Sequence, residues 1–126
     1  MRVCFTIPYP PGKEKSEWTK RYGLNAYWSG KHWSRRKDDA NYWHTLVKSE
    51  LLRQGIKPAI ATKPVILHFG HNDRLDCSNH AAMEKMIEDA LIGYLIEDDD
   101  RKHVIGKVSY FHNGGAIFVT VEEVQT

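Results

Sequence analysis

Cysteine is scarce in this chain of 126 residues: only Cys4 and Cys77 occur, far apart and in no CxxC pair. That excludes a disulfide framework and the standard structural zinc patterns, and it suits a reducing compartment. No apolar run approaches the ~20 residues that a membrane helix needs. The opening Met1-Arg2-Val3-Cys4-Phe5-Thr6-Ile7-Pro8 is too short, and too polar afterwards, for a secretory leader, so the expected address is cytoplasmic. There is no internal repeat and no low-complexity segment. With 41% apolar and 27% charged residues, the composition is that of a single globular domain over 1–126 rather than a disordered or collagen-like chain. Four Trp, six Tyr and four Phe supply enough bulk for a core and some exposed aromatic surface.

A net charge of +2 conceals a strong segregation. Between Lys13 and Lys37 eight basic residues face two acidic ones, whereas between Asp73 and Asp100 nine acidic residues face Arg74 and Lys85. Such a split suits a basic surface for a polyanion beside a separate carboxylate cluster. On charge alone, two solvated faces that attract each other within the fold are the plainer reading.

Residues 2–7 read as a strand stopped by Pro8, Pro10 and Pro11. The stretch 12–37 lacks clear periodicity and reads as a long loop or arm. Asp38 or Asp39 caps a helix running to about Gln54, with Gly55 ending it and Tyr42, Trp43, Leu46, Val47 and Leu51 on one apolar face. Val65 to Phe69 reads as a strand. A second helix starts at Asn79 as its cap, carries the stripe Ala82, Met83, Met86, Ile87, Ala90 and Leu91, and ends at Gly93. Two more strands, about 103–111 and 115–123, flank His112-Asn113-Gly114, a hairpin signal. The order β-loop-α-β-α-β-β predicts an α+β fold, a small mixed sheet of about four strands with two main helices.

The chemistry concentrates in Asp76-Cys77-Ser78-Asn79, Lys85, Asp89 and Glu97-Asp98-Asp99-Asp100. At about 100° per residue, Ser78, Ala82, Lys85 and Asp89 share one side of the second helix, at the border of its apolar stripe. If the chain folds back after Gly93, Asp98 and Asp99 approach Asp76 and Asp89. Converging carboxylates repel one another, and a hard divalent cation relieves this; Mg²⁺ takes one or two carboxylates, keeps waters and accepts substrate phosphate oxygens. Lys85 alongside would stabilise charge developing on a phosphate, which is the arrangement of metal-assisted phosphodiester hydrolysis. The competing reading is a solvated acidic turn and an ordinary Lys85–Asp89 surface pair. Asp98-Asp99-Asp100 lacks the alternation, glycine and closing glutamate of a calcium loop. His71, Cys77 and His80, with His68 nearby, fit no zinc spacing and read as polar residues around a turn.

These pieces resemble the RusA-like crossover junction endodeoxyribonucleases, often carried by phages and prophages, which cut four-way (Holliday) DNA junctions. The family's D-x-D-N opening to a helix, its Lys and Asp-Ala-Leu on that helix, and its paired Asp after a short strand match Asp76-Cys77-Ser78-Asn79, Lys85, Asp89-Ala90-Leu91 and Asp98-Asp99. Leu24-Asn25-Ala26-Tyr27-Trp28 and His32-Trp33-Ser34-Arg35-Arg36-Lys37 resemble its N-terminal arm. The resemblance covers about 24 to 104. It implies a homodimer that uses Mg²⁺, with Mn²⁺ able to substitute, and acts in DNA recombination and repair. Asp76 and Asp99 would hold the metal, with Asp89 and Asp98 as further ligands, and Asp76, Lys85 and Asp99 would carry catalysis. Lys31, Arg35, Arg36 and Lys37 would contact DNA phosphates, with Trp33 or Trp28 stacking on a base. Ser78 stands where the resemblance places an aspartate, so the alternative is a junction-binding protein of the same family with impaired cleavage.

Overall fold

The computed structural model describes residues 1–31 and 33–125, without the side chains of Trp28 and Trp33. His32, and the tryptophans expected to stack on a base, therefore lie outside the described side chains. The fold is mixed α+β. Strands β1 (Arg2–Pro8), β2 (Val65–His71), β3 (Val104–Phe111) and β4 (Ala116–Glu123) form one sheet in the order β1-β4-β2-β3. β2 is parallel to β3 and antiparallel to β4, and β4 is antiparallel to β1.

One face of the sheet is covered by helices. Val65, Leu67 and Phe69 of β2, Phe5 and Ile7 of β1, and Ile117, Val119 and Val121 of β4 are buried against Trp43, Val47 and Leu51 of α3 (Trp33–Arg53) and Met83, Ile87 and Leu91 of α4 (Ala81–Leu91). The expected apolar faces of both helices therefore lie inside, except that Tyr42 is exposed and stacks on Tyr22, with ring centroids 5.5 Å apart.

Three expectations are corrected. The segment 12–37 is not a loop: it holds α1 (Glu14–Arg21), α2 (Leu24–Trp28) and the start of α3. Its helical signal is charge rather than apolar period. Glu14 and Glu17 occupy the first turn of α1 and Lys20 and Arg21 the last, each complementing the helix dipole. An aromatic cluster holds α1 down: Trp18 packs on Tyr9, Tyr22 and Trp43 and donates its indole N–H to the Tyr42 hydroxyl at 2.9 Å.

Second, neither Asp38 nor Asp39 caps α3. Asp39 lies inside that helix, fully buried, and takes Arg21 Nη2 at 2.9 Å, Lys31 Nζ at 2.7 Å and the Tyr27 hydroxyl at 3.2 Å. A buried carboxylate is tolerated only when so paired.

Third, β3 and β4 form no hairpin despite the Asn-Gly turn. β2, the most apolar strand, lies between them and pairs with both. The His112–Gly114 turn spans its end instead, with His112 N donating to the His71 carbonyl at 2.9 Å and Asn72 Nδ2 to the Gly114 carbonyl at 2.7 Å.

Asp39 is held by two cations from different elements, so Asp39→Ala should lower the unfolding free energy by about 3 kcal/mol. Arg21→Ala, at the more exposed end, should cost about 1 kcal/mol or less. Urea unfolding of the three proteins checks the order.

Candidate functional site

The parallel crossover from β2 to β3 carries every carboxylate of the expected metal site. It leaves β2 at Asn72, whose backbone N–H donates to the Tyr9 hydroxyl at 2.8 Å. Asp73 then accepts the Leu75 N–H at 2.9 Å, a tight Asx turn that sends the chain into the 3₁₀ turn Cys77–His80. Asp76 occupies the position before that turn, and its carbonyl accepts the Asn79 N–H at 2.9 Å. Its carboxylate is exposed and has no hydrogen-bond or ion-pair partner among the described residues. Asn79 is not a cap: His80 stands at the start of α4, and neither turn nor helix has a side-chain cap.

α4 divides its polar residues between two faces. Lys85 and Asp89 point outward and pair at 2.9 Å. Beyond α4, Gly93 takes a φ of +81°, a left-handed conformation that glycine adopts without strain. The chain folds back there, anchored by the buried Leu95 and Ile96. This return brings Asp99 onto Lys85. The three consecutive aspartates diverge in role. Asp98 accepts the Asp99 N–H at 2.8 Å, Asp99 faces Lys85, and Asp100 accepts His103 Nδ1 at 2.6 Å and the backbone N–H groups of Lys102 and His103.

Burial pulls the Lys85 ammonium down, but its bonds to Asp99 and Asp89 outweigh that and its pKa is raised. The same bond from Lys85 holds Asp99 below the usual carboxylate range. Thus Asp89, Asp99 and Lys85 are brought together, with Asp98 supporting the turn. Asp76 is not joined to them, and the four carboxylates expected to share an ion do not meet at ligand spacing among the described residues.

The inner face of α4 holds residues that the sequence reading missed. Glu84 and Glu88 are buried, one helical turn apart beside Ile87. Glu88 lies 3.3 Å from Lys107, and burial, only partly offset by that lysine and Lys85, raises its pKa. Glu84 accepts Ser109 Oγ at 2.6 Å and His71 Nε2 at 2.7 Å. His71 stacks on His80, with centroids 3.6 Å apart and planes 6° from parallel, and His80 in turn reaches Asp73 at 2.9 Å. The sequence signal for this network was a histidine ending a strand whose other inward residues are apolar.

His71, Asp73 and His80 bring potential ligand atoms within 4.8 Å of one another. The stacking argues against a metal there. Imidazole lone pairs lie in the ring plane, and two parallel planes cannot both contain one ion. Moreover, Nδ1 of His80 faces the Cys77 carbonyl at 2.9 Å and Nε2 faces a carboxylate, so both nitrogens must donate and the ring is an imidazolium. Burial opposes that charge, but the Asp73 bond and charge prevail, raising His80 and lowering Asp73.

The expected conformations of the arm's cations also change. Lys31 is committed to Asp39 and to the Arg21 carbonyl at 2.6 Å, and Arg36 donates to the Tyr27 carbonyl at 3.0 Å. Arg35 and Lys37 are exposed on the first turns of α3.

A raised His80 stabilises the fold fully below the ordinary imidazole pKa of about 6.5, and this is lost as pH rises through its folded value. A lowered Asp73 stabilises above the ordinary carboxylate value of about 3.9, and this is lost as pH falls. The stability gap between the native protein and Asp73→Asn should therefore be widest near pH 5–6 and shrink towards pH 9, as measured by urea midpoints across that range. No protein-family model matches the chain, and no curated protein matches it either.

Proposed function

We propose that this protein is a magnesium-dependent endodeoxyribonuclease of the RusA-like kind, which resolves branched DNA such as four-way junctions by phosphodiester hydrolysis. The observation that carries the reading is the convergence of Lys85, Asp89 and Asp99 on the outer face of α4, with Asp76 exposed at the turn that leads into that helix. Lys85 is joined to Asp99 across 14 positions of sequence, which an ordinary helical surface pair does not require.

The donor set suits magnesium. Asp76, Asp89 and Asp98 are hard, water-exposed carboxylates, and Asp76 has no competing partner among the described residues. Asp76 and Asp99 would hold the ion, with Asp89 and Asp98 as further oxygen donors. When bound, it would neutralise phosphate charge and make a water molecule more acidic. Lys85 would offer its ammonium to the scissile phosphate, where it would offset the negative charge that develops during displacement. Asp98 keeps Asp99 presented by holding its backbone N–H. Arg35 and Lys37 supply phosphate contacts that position DNA without reading its sequence.

Two symmetric nicks in a junction call for two sites related by a two-fold axis, hence a homodimer. Among the described residues no helix is long and apolar enough to cross a membrane. With both cysteines unpaired, we infer a cytoplasmic address.

A second reading rests on Ser78, which is exposed beside Asp76 where the resemblance places another carboxylate. It makes the protein a junction binder of the same kind with impaired cleavage. Incubation with a synthetic four-way junction and Mg²⁺ decides between them. The nuclease reading expects nicking that falls about 100-fold or more in Asp76→Asn, Asp99→Asn and Lys85→Ala while junction binding persists. Binding without nicking by the native protein, with cleavage appearing in Ser78→Asp, supports the second reading. Normal cutting by Asp76→Asn and Asp99→Asn contradicts the first.

A further inference from the structure

Two clefts flank the turn that carries Asp76. One, of about 460 Å³, lies between α1 and the turn, and its lining includes Lys15, Asn72, Asp73 and Arg74. The other, of about 400 Å³, lies on the far side of Leu75 and is lined by Lys20, Asn25 and Asn79. Leu75 forms the ridge between them, seated where α1 gives way to α2: its Cδ1 comes within 3.4 Å of a Cβ placed on Gly23.

α1 serves both clefts through one side. At about 100° per residue, Lys15, Thr19, Ser16 and Lys20 fall within about 140° of arc, and Glu14 and Glu17 fall outside it. Arg21 also falls outside, where it pairs with Asp39. The acidic residues of α1 are thus turned away from the clefts, and the lysines towards them.

Several cations elsewhere in the molecule are already paired, and those lining the clefts are not. Lys31, Lys85, Lys107, Arg21 and Arg53 are committed to carboxylates. Lys15, Lys20 and Arg74 have no acidic partner among the described residues; Lys15 rests over the Tyr9 ring at 4.3 Å. Asp73, the acid nearest Arg74 in sequence, has its charge taken by the His80 imidazolium.

We propose that these clefts are consecutive seats for backbone phosphates of DNA, so that one strand crosses the Leu75 ridge along α1 and passes Asp76. Lys15 and Arg74 hold one phosphate, with the Asn72 amide group alongside. Lys20 holds the next, with Asn25 and Asn79 offering neutral hydrogen bonds. This rests on the nuclease reading and relocates the main DNA contacts from the start of α3 to α1 and the Asp76 turn.

The test is the affinity of a synthetic four-way junction and of a linear duplex, measured by fluorescence anisotropy in Ca²⁺ over a series of salt concentrations. Lys15→Gln/Arg74→Gln, Lys20→Gln and, as a control from the opposite end of β2, Lys63→Gln are compared with the native protein. All four substituted side chains lie outside the core, and thermal melts confirm folding. The proposal expects the double variant to bind both DNAs at least about tenfold more weakly, with the slope of log affinity against log salt reduced by about two. It expects a loss about half as steep for Lys20→Gln and none for Lys63→Gln. Native-like affinity and slope in the double variant overturn the track while leaving the nuclease reading intact. A native protein with no salt-dependent DNA affinity overturns both.

Discussion

The pairing of β2 on both of its edges is the constraint from which the rest follows. A strand this apolar is stable only when its backbone is satisfied on each side and its inner face is covered. Here β4 and β3 supply the first and α3 and α4 the second. Because β3 runs parallel to β2, the chain must return over the sheet before β3 can form. That return is the segment of turn, 3₁₀ turn, α4 and acidic run in which the candidate chemistry lies. Topology therefore sets the Asp76 turn after the end of β2 and the acidic run before the start of β3, with α4 between them burying its inner side against the sheet.

Charge then divides into two kinds. Buried charge is structural: Asp39 collects Arg21 and Lys31 and ties α1 and α2 to α3, while Asp73, His80, His71 and Glu84 form a packed polar layer under the Asp76 turn. Exposed charge is left for encounters. The acidic residues around Lys85 lie on the outer face of α4, and the unpaired cations Lys15, Lys20 and Arg74 line the clefts that flank the Asp76 turn. The segregation visible along the sequence thus serves both purposes at once, with part of the basic arm spent inside the fold and part remaining available to a polyanion.

Much of this was legible in the residues. The apolar periods of α3 and α4, the glycine that ends α4 and the β-branched run of β2 express local geometry, and each lies near where its pattern places it. A fold-back after Gly93 was expected to carry Asp98 and Asp99 towards Asp76 and Asp89; it carries Asp99 onto Lys85, while Asp76 stays apart. What was not legible depended on partners distant in sequence. Trp18 holds α1 down by packing on Trp43 of α3 and on Tyr9 at the exit of β1, which no local period announces. Asp39 resembles a cap until Arg21 and Lys31 are seen to surround it. Asn113-Gly114 has the chemistry of a tight turn, yet which strands flank it was decided by the demand of β2 for two neighbours. Glu84 and Glu88 look solvent-facing because the lysine, serine and histidine that bury them come from β2 and β3.

The central claim is that the Asp76 turn and the Asp98-Asp99 turn act as one oxygen-ligand set, with the Lys85 ammonium as neighbour. A crystal structure of the protein soaked in Mn²⁺, read by anomalous scattering, tests this directly. The account predicts a manganese peak bridging the Asp76 and Asp99 carboxylates, with Lys85 drawn away from Asp99. No peak there, with Lys85 still closed on Asp99 and Asp76 facing bulk water, would contradict it.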